Sequence, residues 1–330
     1  MERSWRTPSS VSDPGNPGEF EYSSANYLLI GAIVEAVTGT DYGSYLREAI
    51  LNPAGMTDTF TNTEEARALG LAAGQRTLWG FPSPVPARVD DGGVAYGYLG
   101  GDLDSLAAFA RMQLVEDPPV LDSATLGEAR TGAVERSPGR ECGLGWWDAP
   151  VPGVDEHVVW HAGATPGFAA MMIVLPERER AVVVPQNGYD NLRDGEVQAV
   201  GFGPAHLLTG GGTPLEPETD PLGPALVWGV TAAIPLSVAG AVATVIHPRR
   251  DRVRRRWTGW IRGVFAALSV AAVVTLSATI GVRAGLLWFP EAAVSILVSG
   301  ALGGFALVTL VVVLVRRGRG TRRPRPGSDR

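Results

Sequence analysis

Four histidines, one cysteine and no lysine in 330 residues narrow the chemistry open to this chain. All 28 basic residues are arginine. Cys142 stands alone, which excludes an intrachain disulfide and leaves no thiolate cage for a metal. The histidines, His157, His161, His206 and His247, lack metal-ligand spacing, and His157 and His161, four apart on a predicted strand, are too distant to share an ion. Neither a G-x-S-x-G elbow nor a phosphate-binding Walker loop occurs, so no cofactor is expected. Two short segments remain as candidates: Tyr22-Ser23-Ser24 ahead of an apolar run, and His161-Ala162-Gly163 in a strand-like stretch. Taken alone, Tyr22 reads as a packed aromatic before a helix and His161 as a structural histidine.

The elements that would position these segments follow from periodicity. Residues 25–38 (ANYLLIGAIVEAVT) form a dense apolar stretch closed by Gly39, which predicts a mostly buried helix with a glycine cap. Residues 41–50 predict a second helix ended by Asn52-Pro53, and residues 102–114 an amphipathic helix with acids in its first turn. Beyond this the period changes. Residues 143–147, 158–161, 168–175 and 181–186 are short runs rich in Val, Met, Ile and Trp between Pro, Gly and Asp, the pattern of antiparallel strands. The charged PERER segment (176–180) predicts a hairpin turn. Helices followed by a run of strands indicate an α+β domain, a sheet with helices packed on it.

Charge divides the chain again. Residues 1–220 hold 13 arginines against 31 carboxylates, whereas residues 221–330 hold 15 arginines against 3. Three apolar runs in the second part, 225–246, 264–282 and 292–315, are near the roughly 20 residues a helix needs to cross a bilayer. None contains an interior Asp, Glu or Arg. The arginine-rich segments 247–257 and 316–330 predict the cytoplasmic side, which puts the acidic domain and the connection around Arg283, Trp288 and Pro290 outside. Because intramembrane ionisable residues mark ion or substrate paths, their absence from these runs favours an anchor over a transporter or sensor. The basic segments flank spans, which accounts for them without nucleic acid.

Five blocks together resemble the β-lactamase-related serine hydrolases, a group that includes class C-like β-lactamases, D-Ala-D-Ala carboxypeptidases, D-aminopeptidases and esterases. They are EYSSANYLLIGAIVEAVTG, YLREAILNPAGMTDT, GLGWW, HAGATPGF and VLPERERAVVVPQNG, in family order between residues 19 and 188. The resemblance implies a β-lactamase/transpeptidase-like fold and a site of three elements: an S-x-x-K pair, a Y-x-N triplet, and a K-T-G or H-x-G triplet on an edge strand. A serine hydroxyl is a poor nucleophile until a neighbouring base takes its proton, which is the work of the lysine and tyrosine. By this resemblance Tyr22 matches the proton-shuttling tyrosine. Ser24 stands where the family has asparagine, offering one hydroxyl in place of a carbonyl and an amino group. His161, Ala162 and Gly163 match the H-x-G triplet and imply substrate binding, in the manner of the peptidase and esterase branch.

The S-x-x-K pair has no counterpart, because the chain has no lysine. The expected map is an irregular start (1–18), an incomplete hydrolase domain (19–208), a Pro/Gly-rich linker (209–224), three transmembrane α-helices (225–315) and a basic cytoplasmic tail (316–330). Its expected function is acyl transfer by a membrane-anchored serine hydrolase on a cell-wall peptide or a small ester or amide, with the nucleophile missing from these residues. The alternative is a non-catalytic, membrane-tethered protein that binds cell-wall peptide or a partner. Beyond substrate, the expected partner is the lipid bilayer.

Overall fold

A computed structural model of the chain describes residues 19–87, 89–246 and 252–320. The expected irregular start at 1–18, the loop residues 247–251 and the tail residues 321–330 lie outside the described residues. Two compact units emerge: Met1–Arg76 with Pro82–Thr219, and Thr77–Phe81 with Asp220–Arg330.

The first unit opens with α1 (Ser24–Thr38), α2 (Tyr42–Leu46), which runs on as a π-helical turn through Leu51, β1 (Thr59–Phe60) and α3 (Thr63–Ala68). A hairpin of β2 (Gly74–Leu78) and β3 (Phe81–Val85), whose tip Thr77–Phe81 belongs to the second unit, precedes β4 (Gly100–Gly101), α4 (Leu103–Met112) and α5 (Ser123–Arg130). There follow β5 (Val134–Ser137), β6 (Arg140–Cys142), β7 (Trp147–Pro150), β8 (His157–Thr165), β9 (Phe168–Leu175), β10 (Arg180–Gln186) and α6 (Asp194–Leu208). Strands β10 to β5 form one antiparallel six-stranded sheet in the order β10-β9-β8-β7-β6-β5. The α+β expectation therefore holds, and the PERER hairpin joins β9 to β10 with Leu175 opposite Arg180.

Alternation along β8 and β9 sends Val158, Trp160, Met171, Ile173 and Leu175 to one face, where Phe202 and Ala205 of α6 cover them. A smaller apolar cluster, Leu51, Ala54, Met56 and Met112, ties the turn after α2 to α4. Helix α4 starts where its sequence signals: the Asp102 carboxylate accepts the Ser105 N–H at 2.8 Å.

Two expectations are corrected. Residues 143–147 are a turn, not a strand: Gly143 N–H donates to Trp146 O at 2.8 Å and Gly145 takes φ 84°. That left-handed conformation suits glycine and interrupts the extended chain, so only Trp147 enters β7. Helix α1 ends at Gly39 (φ 67°) as expected, yet of its fifteen residues only Gly31 is buried. Leu29, Ile30, Ile33 and Val37 face outward, Val37 at 80% exposure, because no element among the described residues packs on that side.

The second unit contains α7 (Leu222–Ile246), α8 (Arg252–Thr279), α9 (Val282–Trp288) and α10 (Pro290–Gly320). Two stretches, Leu222–Ala239 and Pro290–Thr309, are long and apolar enough to cross a membrane. A third span is present only if α8 and α9, bent by 91° at their junction, count as one. Gly281 makes the break, with φ 82° and its N–H on Leu276 O at 2.9 Å. The segment 282–288, read as part of an external connection, is thus helical, as are the arginine-rich residues 252–257 and 316–320. Helix α10 begins two residues earlier than the expected span and takes in Glu291, which is buried. Its carboxylate accepts the Trp79 N–H at 3.4 Å, while the Trp79 indole donates to Thr231 Oγ1 at 2.9 Å.

Candidate functional site

Tyr22 lies in the extended segment that leads into α1 and is 74% exposed. Ser23 is the N-cap, with extended backbone but no side-chain capping bond, and Ser24 is the first helical residue. The sequence folds this way because a short polar run directly precedes the apolar period of α1.

The H-x-G triplet sits in the second half of β8. Up to Trp160 this strand is sandwiched, with Trp147 opposite it on β7 and Ile173 opposite it on β9. From His161 onward only β9 is paired, His161 with Met172 and Gly163 with Ala170. The other edge of residues 161–165 carries no strand among the described residues, so β8 is interior in its first half and an edge strand where the triplet lies. Such an edge offers backbone N–H and C=O groups to an extended ligand. His161, Ala162 and Gly163 are all exposed.

His161 is held in place. Its Nδ1 lies 2.5 Å from Gly145 O. A carbonyl can only accept, so Nδ1 carries the proton in this contact, and in the neutral imidazole Nε2 is left as the lone-pair nitrogen. The anchoring carbonyl belongs to the 143–146 turn, where the sequence pattern predicts a strand. Behind that turn Trp146 stacks on Phe109 of α4, ring centroids 6.5 Å apart.

Tyr27, one turn into α1, was not singled out from the sequence and lies beside the turn that holds His161. Its hydroxyl lies 3.5 Å from where a Cβ on Gly145 would stand. Burial pushes the Tyr27 phenol above its ordinary value, and the neighbouring Cys142 and Tyr22 act in the same direction. The Tyr27 hydroxyl thus stands beside Gly145, whose carbonyl holds His161. No hydrogen bond among the described residues joins Tyr22 or Ser24 directly to His161. The signal that could have found Tyr27 was its place about one helical turn beyond Tyr22, within the same sequence block.

The other histidines are elsewhere. His157 Nδ1 lies 3.0 Å from Asp148 Oδ1, and the buried His206 of α6 has its Nδ1 2.9 Å from Pro152 O. Among the described residues no three His, Cys, Asp or Glu side chains are arranged to hold a metal ion. Cys142 is partly buried, and that burial raises its thiol pKa.

Known proteins are similar to this chain over part of their length. The chain is 28% identical over 178 residues to an unguisins hydrolase of Aspergillus campestris, which is 51% of this chain and 33% of that protein. It is 26% identical over 181 residues to protein flp of Staphylococcus aureus strain MRSA252, 52% of this chain and 34% of that one. An octameric penicillin-binding protein homologue from Pyrococcus abyssi superposes with a TM-score of 0.51 at 26% identity, covering 59% of this chain and 44% of that structure. The chain therefore spans about a third of the length of these curated relatives and under half of that structure. The family model described as Beta-lactamase matches residues 8–200, a stretch that takes in the Tyr22 segment, the whole antiparallel sheet and the His161 triplet; the chain belongs to the beta-lactamase family.

Proposed function

We propose that this chain is the C-terminal portion of a membrane-anchored serine hydrolase that works by acyl transfer on a cell-wall peptide or a small ester or amide. The observation that carries the reading is His161. Its Nδ1–H is fixed on the Gly145 carbonyl, and it stands at the start of a free, exposed strand edge. An acyl substrate laid along residues 161–165 would find backbone groups for its amide and the free Nε2 of His161 for hydrogen bonding. In this reading Tyr22 passes the proton between nucleophile and leaving group, and Ser24, Ala162 and Gly163 position the substrate.

The nucleophilic serine and its lysine are assigned to a part of the protein outside these 330 residues, which contain no lysine. The name of one relative, a hydrolase, supports the reaction class. Helices α7 to α10 act as the anchor, with the acidic domain outside and the arginine-rich ends in the cytoplasm, an orientation supported by the arginine bias.

The deciding experiment pairs terminal peptide mass spectrometry on the native protein with labelling by a fluorescent β-lactam and a fluorophosphonate. The expected result is peptides upstream of Met1 that contain Ser-x-x-Lys, a labelled native protein and an unlabelled 330-residue chain. A native N-terminus at Met1 with no labelling would overturn the hydrolase and leave the tethered, non-catalytic binding protein. That second reading draws its support from the same lack of lysine.

A further inference from the structure

We propose that Arg140 and Arg136, laid over the rings of Trp147, Trp160 and Phe20 on one face of strands β5 to β8, form a binding site for an oxyanion, the carboxylate or phosphate group of a ligand. Register puts Cys142 opposite Trp147 and Trp147 opposite Trp160, so these side chains share a face, and Arg140, two residues before Cys142, points the same way. The Arg140 guanidinium carbon lies 4.7 Å from the Trp147 ring centre and 4.9 Å from that of Trp160. Arg136 lies 5.2 Å from Phe20 and 5.7 Å from Trp147. The two indoles are 6.0 Å apart and Phe20 is 5.0 Å from Trp147, so the cations rest on a continuous aromatic floor.

Three features distinguish this floor from an ordinary stack. No carboxylate among the described residues pairs with either arginine, although carboxylates outnumber arginines in this part of the chain. Arg140 Nε and Trp160 Nε1 are both buried donors with no acceptor among the described residues, and Trp160 is only 4% exposed. A buried N–H left unpaired costs stability that a bound acceptor would restore. The like charges also act on each other: burial first, and then Arg136, lower the Arg140 pKa from its ordinary value. An anion accepting from Arg140 would offset the repulsion and use guanidinium donors that the aromatic floor holds in a fixed plane. The aromatic faces restrict where the guanidinium groups can swing, which limits the entropy lost on binding.

The site is independent of the hydrolase reading, because its signature is binding. The full chain, ¹⁵N-labelled in detergent micelles, is titrated with sodium acetate and with sodium phosphate, against sodium chloride at equal ionic strength. The Trp160 indole N–H resonance, identified by its loss in Trp160→Phe, is the readout. It is expected to move saturably with acetate or phosphate and not with chloride, the responding anion separating a carboxylate ligand from a phosphate one. Arg140→Gln is expected to abolish the titration and Arg136→Gln to weaken it about tenfold, the worth of one charge-assisted contact. No saturable movement with either oxyanion, an equal response to chloride, or an unchanged titration in Arg140→Gln would overturn the proposal. Should Arg140→Gln fail to fold, the exposed Arg136→Gln decides: unaltered binding there overturns it as well.

Discussion

Strand β9 and helix α1 are both nearly unbroken apolar stretches, and the fold treats them in opposite ways. In β9 five of eight residues are buried, Ile173 at 0% exposure, between β8 and β10 and under α6. In α1 only Gly31 is buried, and Leu29, Ile30, Ile33 and Val37 lie open. The difference is in what each is offered. A strand inside a sheet brings neighbours on both edges, and α6 closes its face, so hydrophobic burial is assured by topology. A helix buries a stripe only where another element meets it. The turn around Val94–Tyr96 meets α1 at Gly31, where a glycine lets Ala95 come close. The lesson is that apolarity states a demand for cover, and the register of a sheet meets that demand more surely than the end of a helix does.

The comparison is tested hardest in the sheet. Ile173→Ala removes a fully buried side chain from the cluster with Trp160 and Phe202 and is expected to destabilise the domain by about 2–5 kcal/mol. Chemical denaturation of the full chain in detergent, followed by tryptophan fluorescence, measures it; a loss below about 1 kcal/mol would mean that this core is loosely packed.

The two sides of α1 are expected to differ. A Cβ at Gly31 would stand 2.7 Å from Ala95 Cβ, closer than carbon atoms approach. Gly31→Ala should therefore cost about 1–2 kcal/mol, the overpacking penalty less the helix propensity gained. At Ile33, 53% exposed on the opposite side, truncation to Ala should change stability by less than about 0.5 kcal/mol. Equal losses at Ile33 and Gly31, read from the same denaturation curves, would break the comparison by showing that the outer face is covered in solution.

Gly145 connects α1 to the sheet. Its φ of 84° favours glycine, and its carbonyl fixes His161. Gly145→Ala is expected to cost about 1 kcal/mol from backbone strain. It should also move the His161 ring resonances, while Gly139→Ala, in a turn with φ 73° and open space around it, should carry the strain alone. Identical His161 spectra in both variants would show that the imidazole does not depend on the 143–146 turn.

How far the sequence discloses this molecule varies with the physics involved. Short runs rich in Val, Met and Ile, bounded by Pro, Gly and the charged PERER turn, locate β9 and β10 within a residue, because those signals are local. The cap of α4 at Asp102 and the cap of α1 at Gly39 are equally local and equally legible. The GLGWW run is not. Its aromatic content suggests a strand, and the left-handed φ at Gly145 makes it a turn. The same holds for the site. Tyr22 and His161 are visible as motif residues, but the Gly145 carbonyl that orients the imidazole is a backbone group with no side-chain signature. The bend between α8 and α9 rests on Gly281, a glycine within an apolar run whose hydropathy alone reads as continuous.

The smallest effect separates the forces rather than the elements. Where β9 is held by apolar burial, the neighbourhood of α2 and α3 is held by a carboxylate. Glu65 Oε2 accepts from Thr61 N–H at 2.8 Å, from Thr61 Oγ1 at 3.1 Å and from Arg47 Nη2 at 2.7 Å. Burial alone would raise its pKa, but the Thr61 N–H bond and the Arg47 charge, with the side-chain bonds of Thr61 and Asn62, outweigh that and hold it below the ordinary 4.5. The unfolded chain therefore takes up this proton more readily than the folded one does. The stabilisation from Glu65 is fully present above about pH 4.5 and is lost as pH falls through the depressed value. Thermal midpoints of the native chain and of Glu65→Gln, taken from pH 7 to pH 3, should keep a constant gap down to that point and converge below it. The pair is partly exposed, so the gap should also shrink in high salt. A gap that persists unchanged to pH 3 would mean that Glu65 acts through shape rather than charge, and that the helical region shares the apolar logic of β9 after all.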